Sequence, residues 1–209
     1  MITPRELFIQ IIEYVERWDI DLSNMDCCEF EDLFNYSDEN PPFYTFCGAT
    51  KGVFCPQDKD ADFVLKFTFT GCESDYCKLE SDYYKEAVKE GLADSFAATT
   101  YFDTYNDIDF YVQKKVSMDW NKNYIMKEHI PSKVAEVIDV LMEASNNYTD
   151  RMPSRWVYYY YKTYGEDALF DLFNFIDVHG INDLHGENLG VYHNKPIIFD
   201  YSGYWEGSW

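Results

Sequence analysis

The sequence predicts an α+β protein. Apolar residues recur at helical spacing near the N-terminus. Three short β-prone runs follow between residues 43 and 69, and helical periodicity dominates the second half. In the first segment, Thr3-Pro4-Arg5-Glu6 supplies an N-cap, a proline at the first helical position and a glutamate at the third. Leu7, Phe8, Ile11, Ile12, Val15 and Trp18 then define one stripe of a helix. A second short helix is predicted over 25–34, closed off by Asn40-Pro41-Pro42.

The period then changes. Residues 43–47 and 53–55 read as two strands, with Gly48 and Gly52 bracketing a turn between them. After a charged turn over 56–62, residues 63–69 form a third strand, in which Lys66 interrupts an otherwise apolar run. A helix is predicted over 74–90, ending at Gly91. Strands return over 97–102 and 109–116. Helices are predicted over 131–144 and 166–178, and the aromatic run over 156–161 reads as packing rather than as a stacking platform. Residues 181–200 alternate loop and short strands.

Composition narrows the function. Thirty-eight acidic residues against 17 basic ones give a net charge of −21. Bulk phosphate repels such a chain, so direct nucleic-acid binding and docking on anionic membranes are not expected. No apolar stretch reaches the roughly 18 residues of a membrane helix, and no signal peptide is predicted, so a cytoplasmic location is expected. The six cysteines, Cys27, Cys28, Cys47, Cys55, Cys72 and Cys77, form no C-x-x-C pair and are expected to be free thiols in or near the core.

The segment with chemical content is Asp183-Leu184-His185-Gly186-Glu187-Asn188, followed by a short apolar strand ending at Asp200. Phosphoryl transfer from ATP needs such a set. One carboxylate orients the attacking hydroxyl, while an amide oxygen and a second carboxylate hold magnesium. Upstream, in order, stand a glycine-bearing hairpin, a lysine in a buried-looking strand and an acidic helix.

In these motifs the chain resembles the protein-kinase-like superfamily. Asp183-Leu184-His185 with Asn188 is similar to the D-x-H-x-x-N loop of aminoglycoside phosphotransferases and to the catalytic segment of bacteriophage protein kinases. Val64-Leu65-Lys66 resembles the V-A-I-K strand, and Phe199-Asp200 the magnesium-binding segment. The resemblance spans roughly residues 43–200. It implies a two-lobed fold, with a small antiparallel sheet over a reduced helical lobe. The expected organisation is a helical N-terminal extension over 1–40, an N-lobe over 41–112 and a C-lobe over 113–209.

The resemblance also assigns roles. Lys66 contacts the nucleotide phosphates and pairs with a carboxylate on the following helix, Glu80 fitting best and Glu86 or Glu90 being alternatives. Gly48 and Gly52 lie in the glycine loop. Gln113 and Lys114 belong to a hinge over 112–116 whose backbone holds adenine. Asp183 is the catalytic carboxylate, and Asn188 and Asp200 are the magnesium ligands. ATP and Mg²⁺ are the implied cofactors, with a hydroxyl of a protein or small molecule as acceptor. The pattern departs from typical kinases in Ile181-Asn182 before Asp183, in two glycines rather than three, and in Gly203 standing two places later than in D-F-G. Only residues 201–209 follow Asp200, so no activation segment is expected. The alternatives are an inactive pseudokinase and an acidic, DNA-mimicking interaction protein.

Overall fold

In the computed structural model, residues 1–35, 41–122, 127–144 and 152–203 are described; Asn40 of the expected helix stop lies outside them. Among the described residues the protein is mixed α and β, with six α-helices, a five-stranded antiparallel sheet and a separate two-stranded hairpin. The chain divides into two compact units. One comprises residues 1–82 and 98–115, the other residues 83–97 and 116–209.

In the first unit, α1 spans Pro4–Arg17 and α2 spans Cys27–Asn35. The capping box read from the sequence is present. Thr3 Oγ1 accepts from the Glu6 amide at 3.2 Å, and Glu6 Oε2 accepts from the Thr3 amide at 2.7 Å. These bonds, the backbone one first, hold the Glu6 carboxyl below its ordinary range. The sheet consists of β1 (Phe43–Cys47), β2 (Lys51–Pro56), β3 (Phe63–Thr68), β4 (Thr99–Tyr105) and β5 (Ile108–Lys114), in the order β1-β2-β3-β5-β4. A tight turn joins β4 to β5, with Asn106 and Asp107 both at positive φ. These two residue types tolerate that conformation, and it matches the twist of the flanking strands.

Strand alternation gives the sheet two unlike faces. One is apolar: Phe54, Leu65, Phe67 and Phe110 share a core with Leu7, Phe8, Ile11 and Val15 of α1 and with Phe30 and Phe34 of α2. Helices α1 and α2 therefore contribute side chains to this unit's core. Edge-to-face ring pairs fill it, such as Phe30 with Phe54 at 5.5 Å and Phe43 with Phe54 at 5.1 Å. Each buried Phe contributes about 1.5–3 kcal/mol by leaving water. The other face is polar and carries the site described below.

Helix α3 spans Tyr76–Lys89, slightly shorter than the sequence predicts. Its start is set by Asp75, whose Oδ1 accepts from the Lys78 amide at 3.0 Å. The second unit contains α4 (Ser132–Ala144), α5 (Ser154–Tyr164) and α6 (Glu166–His179), then the hairpin of β6 (Leu189–Tyr192) and β7 (Lys195–Ile198). The aromatic run forms most of α5. Its rings enter the core, while its hydroxyls find polar partners: Tyr160 with Ser95 Oγ at 2.5 Å, and Tyr159 with the Asn194 carbonyl at 2.6 Å. Burial pushes the Tyr160 hydroxyl up to about 12.

The six cysteines are free thiols. Cys55 and Cys77 are buried, Cys28 is exposed and the rest are half-buried. Among the described residues no helix is long and apolar enough to cross a membrane.

Gly52 lies inside β2, paired with Cys47 and Phe67, rather than at the turn itself. A Cβ there would stand 2.3 Å from Phe67 Cε1 and 3.2 Å from Phe30 Cε2. The Phe67 ring is held by Phe54, Phe69 and Phe110 and has little room to retreat. Gly52→Ala is expected to destabilise the protein by about 1–3 kcal/mol, the range for overpacking a filled core. Urea unfolding of the two proteins measures it, and equal midpoints would refute this packing role.

Candidate functional site

The polar face of the sheet in the first unit holds a buried cluster of charged and amide side chains. Register places it there. Lys66 pairs across to Val53 and Tyr111, Lys51 to Thr68, and Gln113 to Val64 and Thr99. Opposed residues in an antiparallel pair share a face, so Lys51, Lys66, Thr99 and Gln113 all lie on one side. All four are buried.

Glu80 of α3 meets them with no exposure to solvent. Its two oxygens are divided between two lysines: Lys51 Nζ donates to Oε1 at 2.7 Å and Lys66 Nζ to Oε2 at 2.8 Å. Gln113 completes the cluster. Its amide oxygen accepts from Lys66 at 3.3 Å, and its Nε2 donates to Glu80 Oε2 at 3.2 Å and to Thr99 Oγ1 at 2.8 Å. Beside it, Asp75 accepts from Thr68 Oγ1 at 2.8 Å and from the Tyr111 hydroxyl at 3.2 Å, which ties the start of α3 to β3 and β5. Burial first, then the Asp75 charge, raise the Tyr111 hydroxyl. Burial likewise pushes the Cys77 thiol up to about 12 despite the nearby lysines, so it stays neutral.

The second unit carries the acidic loop. Ile181 and Leu184 are fully buried and pin the loop on either side of Asp183. Asn188, also buried, donates from Nδ2 to the Asp183 carbonyl at 2.5 Å, which turns its amide oxygen the other way. The Asn188 carbonyl accepts from the Phe199 amide at 3.1 Å and from the Asp200 amide at 3.5 Å. The hairpin, turning at His193 and Asn194 with positive φ, thus returns the chain so that Asp200 stands beside Asn188. His185 Nδ1 accepts from the Glu187 amide at 3.2 Å, and its Nε2 lies 3.8 Å from Asp183 Oδ1. Trp120 donates from its indole to the Gly186 carbonyl at 2.9 Å and holds the loop from outside. Beyond Asp200, Tyr201 is buried and donates to the Ala97 carbonyl at 2.8 Å. Gly203 then takes φ +75° where a Cβ would lie 2.8 Å from Asn182 Oδ1. Gly203 thus stands against Asn182 at the start of the loop.

The structure brings Lys66 and Glu80 together, and brings Asp183, Asn188 and Asp200 together. Glu86 pairs instead with Lys89 at 2.7 Å on the surface. Gly48 lies in the exposed β1–β2 turn with open space around it. Gln113 and Lys114 are the last two residues of β5. The Lys114 amide donates to Ala98 and the Lys115 amide to Asp62, so these amides are used by the fold, and Gln113 acts through its side chain. The sequence reading missed Lys51 and Trp120. Lys51 carries no local signal beyond following the glycine turn, and Trp120 lies far from the loop in sequence.

The acidic loop suits magnesium in its donor set. It offers an amide oxygen and a carboxylate, both hard oxygen donors, and Mg²⁺ on a nucleotide takes only one or two protein ligands besides water and phosphate. Among the described residues, no group of three or more His, Cys, Asp or Glu side chains is placed to hold a metal ion alone. Comparison with protein-family models and with curated proteins finds no match for this chain.

Glu80 is the carboxylate that both lysines share, so its removal leaves two ammoniums buried without it. Glu80→Ala is expected to destabilise the protein by about 3–5 kcal/mol, the scale for breaking a buried ion pair from one side. Glu80→Gln, which keeps the shape and one acceptor, should cost less. Denaturant unfolding of both variants checks this order, and an Ala variant as stable as wild type would contradict it.

Proposed function

We propose that the chain is an ATP- and Mg²⁺-dependent phosphotransferase of the protein-kinase-like type, acting on a hydroxyl of a protein or small molecule. The observation that carries this reading is the buried Lys66–Glu80 pair. A strand lysine held by a glutamate on the next helix is the arrangement by which kinases present an ammonium to the nucleotide phosphates. The sheet supports it, being antiparallel, with the helix inserted between β3 and β4. The second unit supports it independently. Its loop, hairpin and returning aspartate supply a carboxylate, an amide and a second carboxylate in the order phosphoryl transfer uses.

Each residue then has a role. Lys66 binds the phosphates, and Glu80 with Gln113 fixes its direction. Asp183 orients the acceptor hydroxyl and takes its proton as the oxygen bonds to the γ-phosphorus and ADP leaves. Asn188 and Asp200 would hold the metal, which neutralises phosphate charge when bound. Trp120 and His185 act on the loop's shape.

Two measurements test the reading. ATP with magnesium should raise the melting temperature, since a ligand that binds the folded state alone stabilises it by about 2.7 kcal/mol at one hundred times its Kd. Asp200→Ala should remove the magnesium-dependent part. No shift at millimolar ATP·Mg²⁺ would overturn nucleotide binding. In a turnover assay for ADP release with candidate acceptors, Asp183→Asn should keep ATP affinity while losing roughly 100-fold or more of the rate. Equal turnover by wild type and Asp183→Asn would make Asp183 a turn residue only. Binding without turnover in either protein would leave a nucleotide-binding pseudokinase.

A further inference from the structure

Strand β1 lies at the edge of the five-stranded sheet. β2 pairs with one side of it, and among the described residues no strand pairs with the other. We infer that this edge, with the cleft between β1 and α2, is a docking surface for an extended segment of a partner protein that alternates basic and apolar residues and adds to the sheet as a further strand. This inference does not rest on the phosphotransferase reading above.

The backbone sets the mode of docking. The Gly48 amide closes the β1–β2 turn by donating to the Lys51 carbonyl at 3.1 Å. In an antiparallel pair, hydrogen-bonded and non-bonded opposed residues alternate. Counted back along the register from that closing pair, Phe46 and Tyr44 bond to Val53 and Cys55, while Cys47 and Thr45 stand opposite Gly52 and Phe54 without bonds. The N–H and C=O groups of Thr45 and Cys47 therefore point away from β2, toward the open edge. The same two residues line the cleft, together with Phe46 and with Phe30 and Glu31 of α2. A strand added at this edge gains main-chain hydrogen bonds and a recess for alternate side chains.

The side chains set the chemistry of the partner. The cleft has a volume of about 190 Å³, less than the roughly 300–1,000 Å³ of a small-molecule pocket, so it suits single side chains of a larger partner. Its helical wall is acidic. α2 carries Glu29, Glu31 and Asp32 and neither lysine nor arginine, Glu31 and Asp32 are exposed, and β1 has no charged residue. An arginine or lysine entering the cleft sets its aliphatic stem against Phe30 and its cation beside Glu31. The next residue of an added strand faces the opposite side of the sheet. There Tyr44 and Phe46 are 55% and 61% exposed, and apolar partner residues cover them. A second copy of this chain fits poorly, because it brings the same carboxylates together in a protein of net charge −21.

The experiment is fluorescence anisotropy of a labelled peptide, Arg-Val-Arg-Val-Arg-Val, titrated with the full chain. Two further peptides are compared: the same sequence methylated on every backbone nitrogen, which keeps the charge but cannot pair as a strand, and Glu-Val-Glu-Val-Glu-Val. Wild type is expected to bind the first peptide about 10-fold or more tightly than its methylated form, the scale of one or two lost backbone hydrogen bonds, and to bind the acidic peptide more weakly still. Thr45→Pro removes an outward N–H at an edge position that proline can occupy without breaking the β1–β2 ladder, and should weaken the first peptide by about 10-fold. Glu31→Arg, at an exposed position, should weaken it by a few-fold, and preserves the test if Thr45→Pro fails to fold. Equal binding of the first and methylated peptides by wild type, or binding of neither, overturns the inference. Full affinity in Thr45→Pro overturns the assignment to this edge, and full affinity in Glu31→Arg overturns the basic character of the partner. A wild-type dimer in analytical ultracentrifugation that Thr45→Pro dissociates would give the edge to a second copy and overturn the inference as well.

Discussion

Glu80 sits without solvent exposure between lysines from two neighbouring strands, and each of its oxygens is engaged by a different one. A carboxylate cannot be left in that position without its cations, and the cations cannot be left without it. This mutual need fixes the face that α3 turns to the sheet. It also fixes the register of β2 against β3, because a slip of one residue would turn Lys51 and Lys66 to the opposite, apolar face among the phenylalanines. Asp75 reinforces the constraint by capping the helix and bonding Thr68 and Tyr111 with one side chain. The rest of the first unit follows: a polar face built around Glu80, and an aromatic core behind it that supplies the hydrophobic energy the charges do not.

The second unit solves a different problem. Its loop must hold polar side chains at fixed positions without a helix or strand to carry them. It does so by anchoring Ile181, Leu184 and Leu189 in the core and by spending the Asn188 amide on the loop's own backbone. Trp120 and His185 add bonds to loop backbone groups. A loop braced at this many points has a fixed backbone, as the proposed phosphotransfer would require of it.

What was legible in the sequence was local. The capping box of α1 is four residues long and formed as written. Lys66 announced itself by breaking an apolar run, and Glu80 by lying on the next helix. The Asp183 loop was legible because its spacing is contained within a few residues. What was not legible depends on register across the sheet. Lys51 reads as a turn residue until its pairing with Thr68 buries it. Gln113 reads only as part of a hinge over 112–116, because its side-chain bond to Glu80 depends on its pairing with Val64 across the sheet. Gly52 reads as turn chemistry until Phe67 is found against it. The α5 run had no period to read, because nearly every residue in it is large and buried; its helical state follows from packing against α6, not from alternation of polar and apolar positions.

The strand order also governs how the chain can assemble. β5 lies between β3 and β4 and carries Gln113, yet it is made after α1, α2, α3 and the first three strands, and after the excursion over 83–97 into the other unit. During synthesis the first three strands therefore wait with the inner edge of β3 open and with Lys66 and Glu80 lacking their amide partner. Closing that edge is a long-range event, slow by the measure of contact order, and the open edge is a surface on which strands from other chains can add. A nascent chain that ends between residues 83 and 107 holds most of the first unit's residues but not β5. The folding unit is thus discontinuous: no fragment that ends at the first boundary, residue 82, can reproduce it.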